Sequence, residues 1–182
     1  HLCKFVNRGK EINEQFGIDL RVDKIYPLKT GNTWITAKSA NYLIRNYMLP
    51  DQSFEKEIIK VGQHGLRSGN VWHIWADMKG REWILTDKGA TIYNHHFSTH
   101  LPFKWIREVG ENIFLATPNG KLAVYDEKEH LVMIPMPAGV TRINQLKNTG
   151  YQLLIATNIG LVVYNPRTFK TEVINVQSPG QP

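Results

Sequence analysis

The sequence has little in it that announces a function. Cys3 is its one cysteine. A lone thiol closes no intramolecular disulfide and supplies no cysteine-rich zinc site. Within Leu2-Cys3-Lys4-Phe5-Val6 it reads as a small buried hydrophobe. No run approaches the ~20 apolar residues that span a bilayer, and the longest, such as Leu153-Leu154-Ile155-Ala156, are strand-sized. A secretory pattern of basic, apolar and small-residue regions is missing. The first residue is His1, so the chain is expected to be a piece of something longer. Nucleophile elbows of the form Gly-x-Ser-x-Gly, dinucleotide-binding glycine runs and phosphate-binding loops are also absent. No catalytic residue and no cofactor are therefore assigned. Lys and Arg number 22 against 16 Asp and Glu, a net +6, but they are scattered and form no basic run. Nucleic acid is not expected as a partner; the charge serves solubility or favours a small anionic ligand.

What the chain does have is a repeat. Four segments align: Gly31-Asn32-Thr33-Trp34-Ile35-Thr36-Ala37, Gly80-Arg81-Glu82-Trp83-Ile84-Leu85-Thr86, Glu111-Asn112-Ile113-Phe114-Leu115-Ala116-Thr117 and Tyr151-Gln152-Leu153-Leu154-Ile155-Ala156-Thr157. Each places a large apolar residue three positions before a threonine, which the first segment replaces with Ala37. A glycine precedes the large residue by three or four positions in every copy. In the last three, Gly89, Gly120 and Gly160 follow the threonine by three residues, and a short apolar run then ends in Tyr93, Tyr125 or Tyr164. The large apolar position recurs at 34, 83, 114 and 154, a spacing that suits units of about 40–50 residues built from four strands.

The punctuation is that of strands and tight turns. Asp77-Met78-Lys79-Gly80 has Asp and Gly where a type I turn prefers them. Thr86-Asp87-Lys88-Gly89 and Thr117-Pro118-Asn119-Gly120 form the next turn, where Asn-Gly is a strong hairpin signal. Asp126-Glu127-Lys128-Glu129-His130 and Asn165-Pro166-Arg167-Thr168 form a third, with fourth strands over Leu131–Ile134 and Thr171–Ile174. Trp83 and Leu85 on one side and Ile84 on the other make a strand covered on both faces, unlike a half-solvated one. The segment 51–61 carries Phe54, Ile58 and Val61 at helical spacing; its neighbours nevertheless require a fourth strand there.

The run from Ile74 to Tyr93, with Asp77, Gly80, Trp83, Thr86, Gly89 and Tyr93 in register, resembles the two-component regulator propeller repeat. It departs at Leu85, where that family prefers glycine. The later units keep Thr, Gly and Tyr but replace Trp with Phe114 and Leu154, and the first keeps Gly31 and Trp34. The resemblance implies an all-β fold, a β-propeller fragment of about four four-stranded antiparallel blades. Blades are expected at 21–70, 71–103, 104–139 and 140–176, with the outer strands of a truncated preceding blade at 1–20 and a tail at 177–182. It further implies a fragment of the periplasmic sensor propeller of a hybrid histidine kinase and response regulator, as in Bacteroidetes. Such a sensor is the extracytoplasmic part of an inner-membrane protein, binds an oligosaccharide and signals to a kinase outside this chain. The fragment itself is not expected to be an enzyme. A protein-interaction scaffold and a polysaccharide-active propeller enzyme are the alternatives. Propellers close with typically four to eight blades, so the remaining blades of a larger ring, or a second copy of the chain, are expected partners.

In a blade the first strand lines the central channel, so the loops entering it surround one mouth. Those loops hold Arg67, His100, Lys104 and Arg142. Their forked or basic groups suit a carboxylate or sulfate. Trp72, in Val71-Trp72-His73-Ile74-Trp75, offers a face to a sugar or to a neighbouring blade, whereas Trp75 is expected to pack between blades. These five residues, Arg67, Trp72, His100, Lys104 and Arg142, are the candidate ligand site. His96 and His100 are four apart, a zinc spacing on a helix face. They follow a strand and precede Pro102, so no metal site is expected.

Overall fold

The computed structural model describes residues 22–37 and 41–174. The expected strands at 1–20, Cys3 and the tail at 177–182 lie outside the described residues. No helix occurs among those described, and the chain forms two compact units that meet in sequence between His100 and Leu101.

In the first unit β1 (Val22–Pro27), β2 (Thr33–Ala37), β3 (Tyr42–Met48) and β4 (Phe54–Lys60) form one sheet, in sequence order. A second sheet holds β5 (Val71–Ala76), β6 (Glu82–Thr86), β7 (Gly89–Ile92) and β8 (Ser98–Thr99). The second unit repeats the plan with β9 (Trp105–Val109), β10 (Asn112–Ala116), β11 (Leu122–Tyr125) and β12 (Leu131–Ile134), then β13 (Ile143–Asn148), β14 (Leu153–Thr157), β15 (Gly160–Asn165) and β16 (Lys170–Ile174). Every neighbouring pair is antiparallel, so each sheet is the four-stranded meander of a propeller blade. The ambiguous segment 51–61 contains β4, paired with β3 along its whole length. β6 is buried at all five positions, as a strand with no solvated face requires.

The recurring residues have local structural duties. Thr86 Oγ1 donates to the Gly89 carbonyl at 2.9 Å and accepts from Lys88 N at 3.3 Å. Thr157 Oγ1 donates to the Gly160 carbonyl at 2.8 Å and accepts from Ile159 N at 3.2 Å. The threonine hydroxyl thus closes the turn between second and third strands, as Ser and Thr side chains do elsewhere. Asp77 is fully buried. Its Oδ1 accepts from Arg81 N at 2.9 Å, and its Oδ2 accepts from Arg81 Nε at 2.6 Å and from Trp83 Nε1 at 3.0 Å. The indole N–H must find an acceptor when buried, which is why Asp and Trp occur six apart.

In the first blade the corresponding acid is missing. Leu28 makes the same backbone turn, with its N–H on Asn32 O at 2.8 Å and Gly31 N on Leu28 O at 3.0 Å. It has no carboxylate for Trp34. That indole instead donates to Glu82 Oε2, on β6 of the next blade, at 2.9 Å. Glu82 is itself only 5% exposed. It also accepts from Arg45 Nε at 2.8 Å and from Asn32 Nδ2.

The repeated tyrosine joins blade to blade. Tyr93 meets the buried Trp34 edge-on, centroids 5.2 Å apart, and Tyr164 meets the buried Phe114 edge-on at 5.6 Å. In both units, therefore, the tyrosine at the end of the third strand lies on the large aromatic of the preceding blade's second strand. Such pairs add about 0.5–1.5 kcal/mol beyond area burial. Burial, reinforced by a 2.5 Å hydrogen bond from the phenol to Glu57 Oε2, pushes Tyr93 up to about 12, so it stays a neutral donor. Around Trp34 gather Leu43, Ile59, Leu66, Val71, Ile74 and Ile84. Around Phe114 gather Leu122, Ile143, Leu153, Ile155 and Val162.

The turn from third to fourth strand holds a left-handed non-glycine residue in all four blades; Asn94, with φ of 52°, is of a type that tolerates it, and the other three are strained. Gln52, Glu129 and Phe169 have φ of 66°, 66° and 57°, a region that costs a residue with a Cβ roughly 1–2 kcal/mol. Gln52 is exposed, with its N–H on Leu49 O at 2.9 Å. Gln52→Gly relieves the Cβ clash but adds backbone entropy to the unfolded chain, so the net gain is about 0.5–1 kcal/mol. Thermal unfolding checks this as a rise in Tm of roughly 1–4 °C.

Candidate functional site

The loop between β4 and β5 builds the best-formed basic site. It folds back on itself, with Gly62 N on Leu66 O at 2.7 Å and Leu66 N on Gln63 O at 2.8 Å. Leu66 is 1% exposed and plugs the loop into the core. The neighbouring Gly65 lies so close to β7 and β8 that a Cβ there would fall 2.6 Å from Thr91 Oγ1. Ser98 Oγ donates to the Gly65 carbonyl at 3.3 Å, and Thr91 Oγ1 to the His64 carbonyl at 3.3 Å. With Leu66 buried and Gly65 pressed onto the sheet, Arg67 is directed across the blade's surface.

The Arg67 stem passes over Gly89, where a Cβ would fall 2.7 Å from its Cδ. Its Nε donates to Ser98 Oγ at 3.0 Å. Its terminal nitrogen lies 3.0–3.1 Å from the two ring nitrogens of His100. A guanidinium only donates, so the imidazole nitrogen that bonds it accepts. Lys88 completes the rim of a cavity of about 460 Å³, with Ser98, His100 and Arg67 on its polar side and Val61 and Leu66 on its apolar side.

The partners of the arginines set this site apart. Arg45 and Arg81 are both partly buried, and each is paired with a buried carboxylate, Glu82 at 2.8 Å and Asp77 at 2.6 Å. Arg67 is likewise half-buried. Among the described residues its partners are a serine hydroxyl and an imidazole, with no carboxylate. The forked donor and the Lys88 ammonium line one cavity that has no carboxylate among its lining residues. Forked and ammonium donors of this kind are the groups whose geometry and charge suit a carboxylate, sulfate or phosphate.

Of the five residues singled out in the sequence, Arg67 and His100 share this cavity. Trp72 sits at the bulge where the β5 register shifts between Val71 and His73; it is half-buried and does not line the cavity. Trp75 is half-buried, with Lys29 Nζ 5.9 Å from its ring centroid. Lys104 and Arg142 belong to the second unit. The exposed Lys104 places its ammonium 5.4 Å from the Trp105 ring. Arg142 lines a shallow depression with Pro118, Asn119, Thr141 and Asn158. There Asn158 Oδ1 accepts the Thr141 and Arg142 N–H groups at 2.8 and 2.9 Å. The sequence reading missed Lys88 and Ser98. They join Arg67 only through the antiparallel registers that fold the β6–β7 turn and β8 beside it.

No family model and no curated protein matches the sequence. Solved structures do match. The extracellular domain of the proposed one-component system BT4673 from B. thetaiotaomicron superposes with a TM-score of 0.61 at 18% identity, over 90% of this chain and 26% of that one. The extracellular domain of the proposed hybrid two-component system BT3049 from the same organism gives 0.54 at 17%, over 86% and 22%. Virginiamycin B lyase from Staphylococcus aureus, as its inactive H270A variant with quinupristin, gives 0.57 at 12%, over 88% and 57%. The likeness is one of fold, shared between sensor domains and a lyase. The chain spans about a quarter of the length of the two sensor domains.

Proposed function

We propose that this chain is a non-catalytic fragment of an extracytoplasmic sensor propeller, of the kind carried by hybrid two-component systems. It recognises an oligosaccharide bearing a carboxylate or sulfate and passes the signal to a kinase outside the chain. The setting is the periplasmic side of an inner-membrane protein. The observation that carries this reading is Arg67, a half-buried guanidinium that shares a cavity with Lys88 and His100 and lacks a carboxylate partner among the described residues. The shared fold with extracellular domains of bacterial sensors and the repeat pattern from Ile74 to Tyr93 support the sensor assignment.

The mechanism is recognition. Arg67 offers two N–H groups in a plane to an oxyanion, Lys88 adds a point charge and Ser98 holds the guanidinium in place. A bound anion displaces His100 as partner of the terminal nitrogen and gains a charge-assisted bond in exchange for a neutral one. Calorimetric titration against paired neutral and sulfated or uronic acid oligosaccharides checks this. The anionic members bind and the neutral ones do not. Arg67→Ala weakens binding about tenfold or more, the worth of one charged hydrogen bond, and affinity falls as salt rises. Heat with neutral and anionic sugars alike would refute the anion site. Tight binding of a protein partner with no sugar heat would make the propeller a scaffold.

A further inference from the structure

The second unit carries an unassigned surface of opposite character. Between its two sheets lies a groove of about 830 Å³. Phe114, Val124 and Tyr164 form its floor, Val132 and Met133 of β12 one lip and Phe169 the other. The lips are open to solvent: Val132 is 49%, Met133 44% and Phe169 79% exposed. Phe169 also holds φ at 57°, a costly conformation for a bulky residue.

β12 is the last strand of its sheet and pairs only with β11 among the described residues. Exposed edges are ordinarily guarded by charge, proline or extreme shortness. β4 carries Glu55, Lys56, Glu57 and Lys60, β16 carries Lys170 and Glu172, and β8 has two residues. β12 reads Leu-Val-Met-Ile and contains no charge. Its outer N–H and C=O groups therefore lie beside an apolar groove, with Pro135 just past the strand and no charge within it.

The rim states which strand fits. Glu111, Asp126 and Glu127 face one lysine, Lys128, around the groove, within a chain whose net charge is +6. Asp126 Oδ1 accepts the Lys128 and His130 N–H groups at 3.0 and 2.8 Å. No ion pair engages Glu111 or Glu127 among the described residues. We infer that β12 and the groove beside it dock an extended peptide segment of a partner protein, one that alternates apolar and basic residues and adds as a fifth strand. Its apolar side chains enter the gap between Val132 and Phe169, and its basic ones meet the carboxylates. Backbone hydrogen bonds supply affinity and the alternate pockets supply selectivity.

This inference is independent of the anion pocket. The test is fluorescence anisotropy of the chain with a labelled nonapeptide alternating valine and lysine. Its counterparts are an alternating valine–glutamate peptide and the lysine peptide N-methylated at every second amide, in both phases. The lysine peptide is expected to bind saturably and at least tenfold tighter than the glutamate peptide. One N-methylated phase abolishes binding and the other leaves it intact. Val132→Lys and Met133→Lys, at exposed positions that leave the fold standing, each weaken binding about tenfold. Equal binding of the lysine and glutamate peptides, indifference to both N-methylated phases, or unchanged affinity in both variants would overturn the inference. Concentration-dependent dimerisation of the chain that Val132→Lys abolishes would overturn it too, assigning the edge to a second copy.

Discussion

Replacing Glu82 with alanine is expected to cost about 3–5 kcal/mol of stability, the usual penalty for removing one partner of a buried ion pair. The carboxylate is 5% exposed and receives Trp34 Nε1, Arg45 Nε and Asn32 Nδ2. Without it a guanidinium stays under Tyr93 and Tyr47, at 4.7 and 4.8 Å from their centroids, with only the weaker influence of Glu57 as counter-charge, and an indole N–H loses its acceptor. Burial pushes the Glu82 carboxyl up, but hydrogen bonds from Arg45 and Asn32, the Arg45 charge and the Trp34 indole together bring it below its ordinary 4.5. A carboxyl depressed in the folded state adds stability above its unfolded value, and that stability is lost as pH falls through the folded value. Glu82 thus contributes fully at neutral pH and progressively less below about 4.5. Urea melts from pH 3 to 7 check both points. Glu82→Gln flattens the acid limb, and the double replacement Glu82→Leu with Arg45→Met recovers much of the loss. A loss below about 1 kcal/mol for the alanine variant would mean that the first two blades do not depend on this bridge.

Gly89→Ala is expected to cost about 3 kcal/mol or more, from overpacking and backbone strain together. Gly89 holds φ at 150°, and an added Cβ would fall 2.1 Å from the Thr99 carbonyl oxygen and 2.7 Å from Arg67 Cδ. The first of these is backbone and cannot swing aside. The variant melts roughly 6–12 °C lower, and the displaced Arg67 stem also weakens anion binding. Gly31→Ala is the control. Its φ is 86° and nothing lies within 4 Å of the added Cβ, so it bears only the backbone cost of about 1–2 kcal/mol. If both variants melt alike, the close approach of β8 to Gly89 is not what the third and fourth strands of that blade depend on.

The blade architecture was legible because its determinants are local. Thr86 and Thr157 close their own turns three residues on, and Asp77 captures an indole six residues away, so the pattern shows in one dimension. Glu82 was not legible. It occupies a strand position that ordinarily reads as a solvated charge, and its duty arises because Leu28, in another blade, lacks the acid that Asp77 supplies to Trp83. The strain at Gln52, Glu129 and Phe169 carries no sequence mark either, since none is a residue that favours the left-handed region. At the site, reasoning from the loops that precede first strands reached Arg67 and His100. Lys88 and Ser98 required the registers of β6, β7 and β8, which composition does not encode. Lys104 and Arg142 fulfil the loop criterion as well, but a shared topological position does not bring side chains into one cavity; Trp72, chosen as an aromatic face, lies on β5 itself and does not line the cavity.

The most direct test is a crystal structure of the chain grown with a monosulfated disaccharide. The account predicts the sulfate against Arg67, two of its oxygens ~2.7–2.9 Å from guanidinium nitrogens, with the Lys88 ammonium turned toward it and His100 displaced. A sulfate bound elsewhere, with Arg67 still held by Ser98 and His100 alone or swung onto the Asp87 carboxylate, would contradict it.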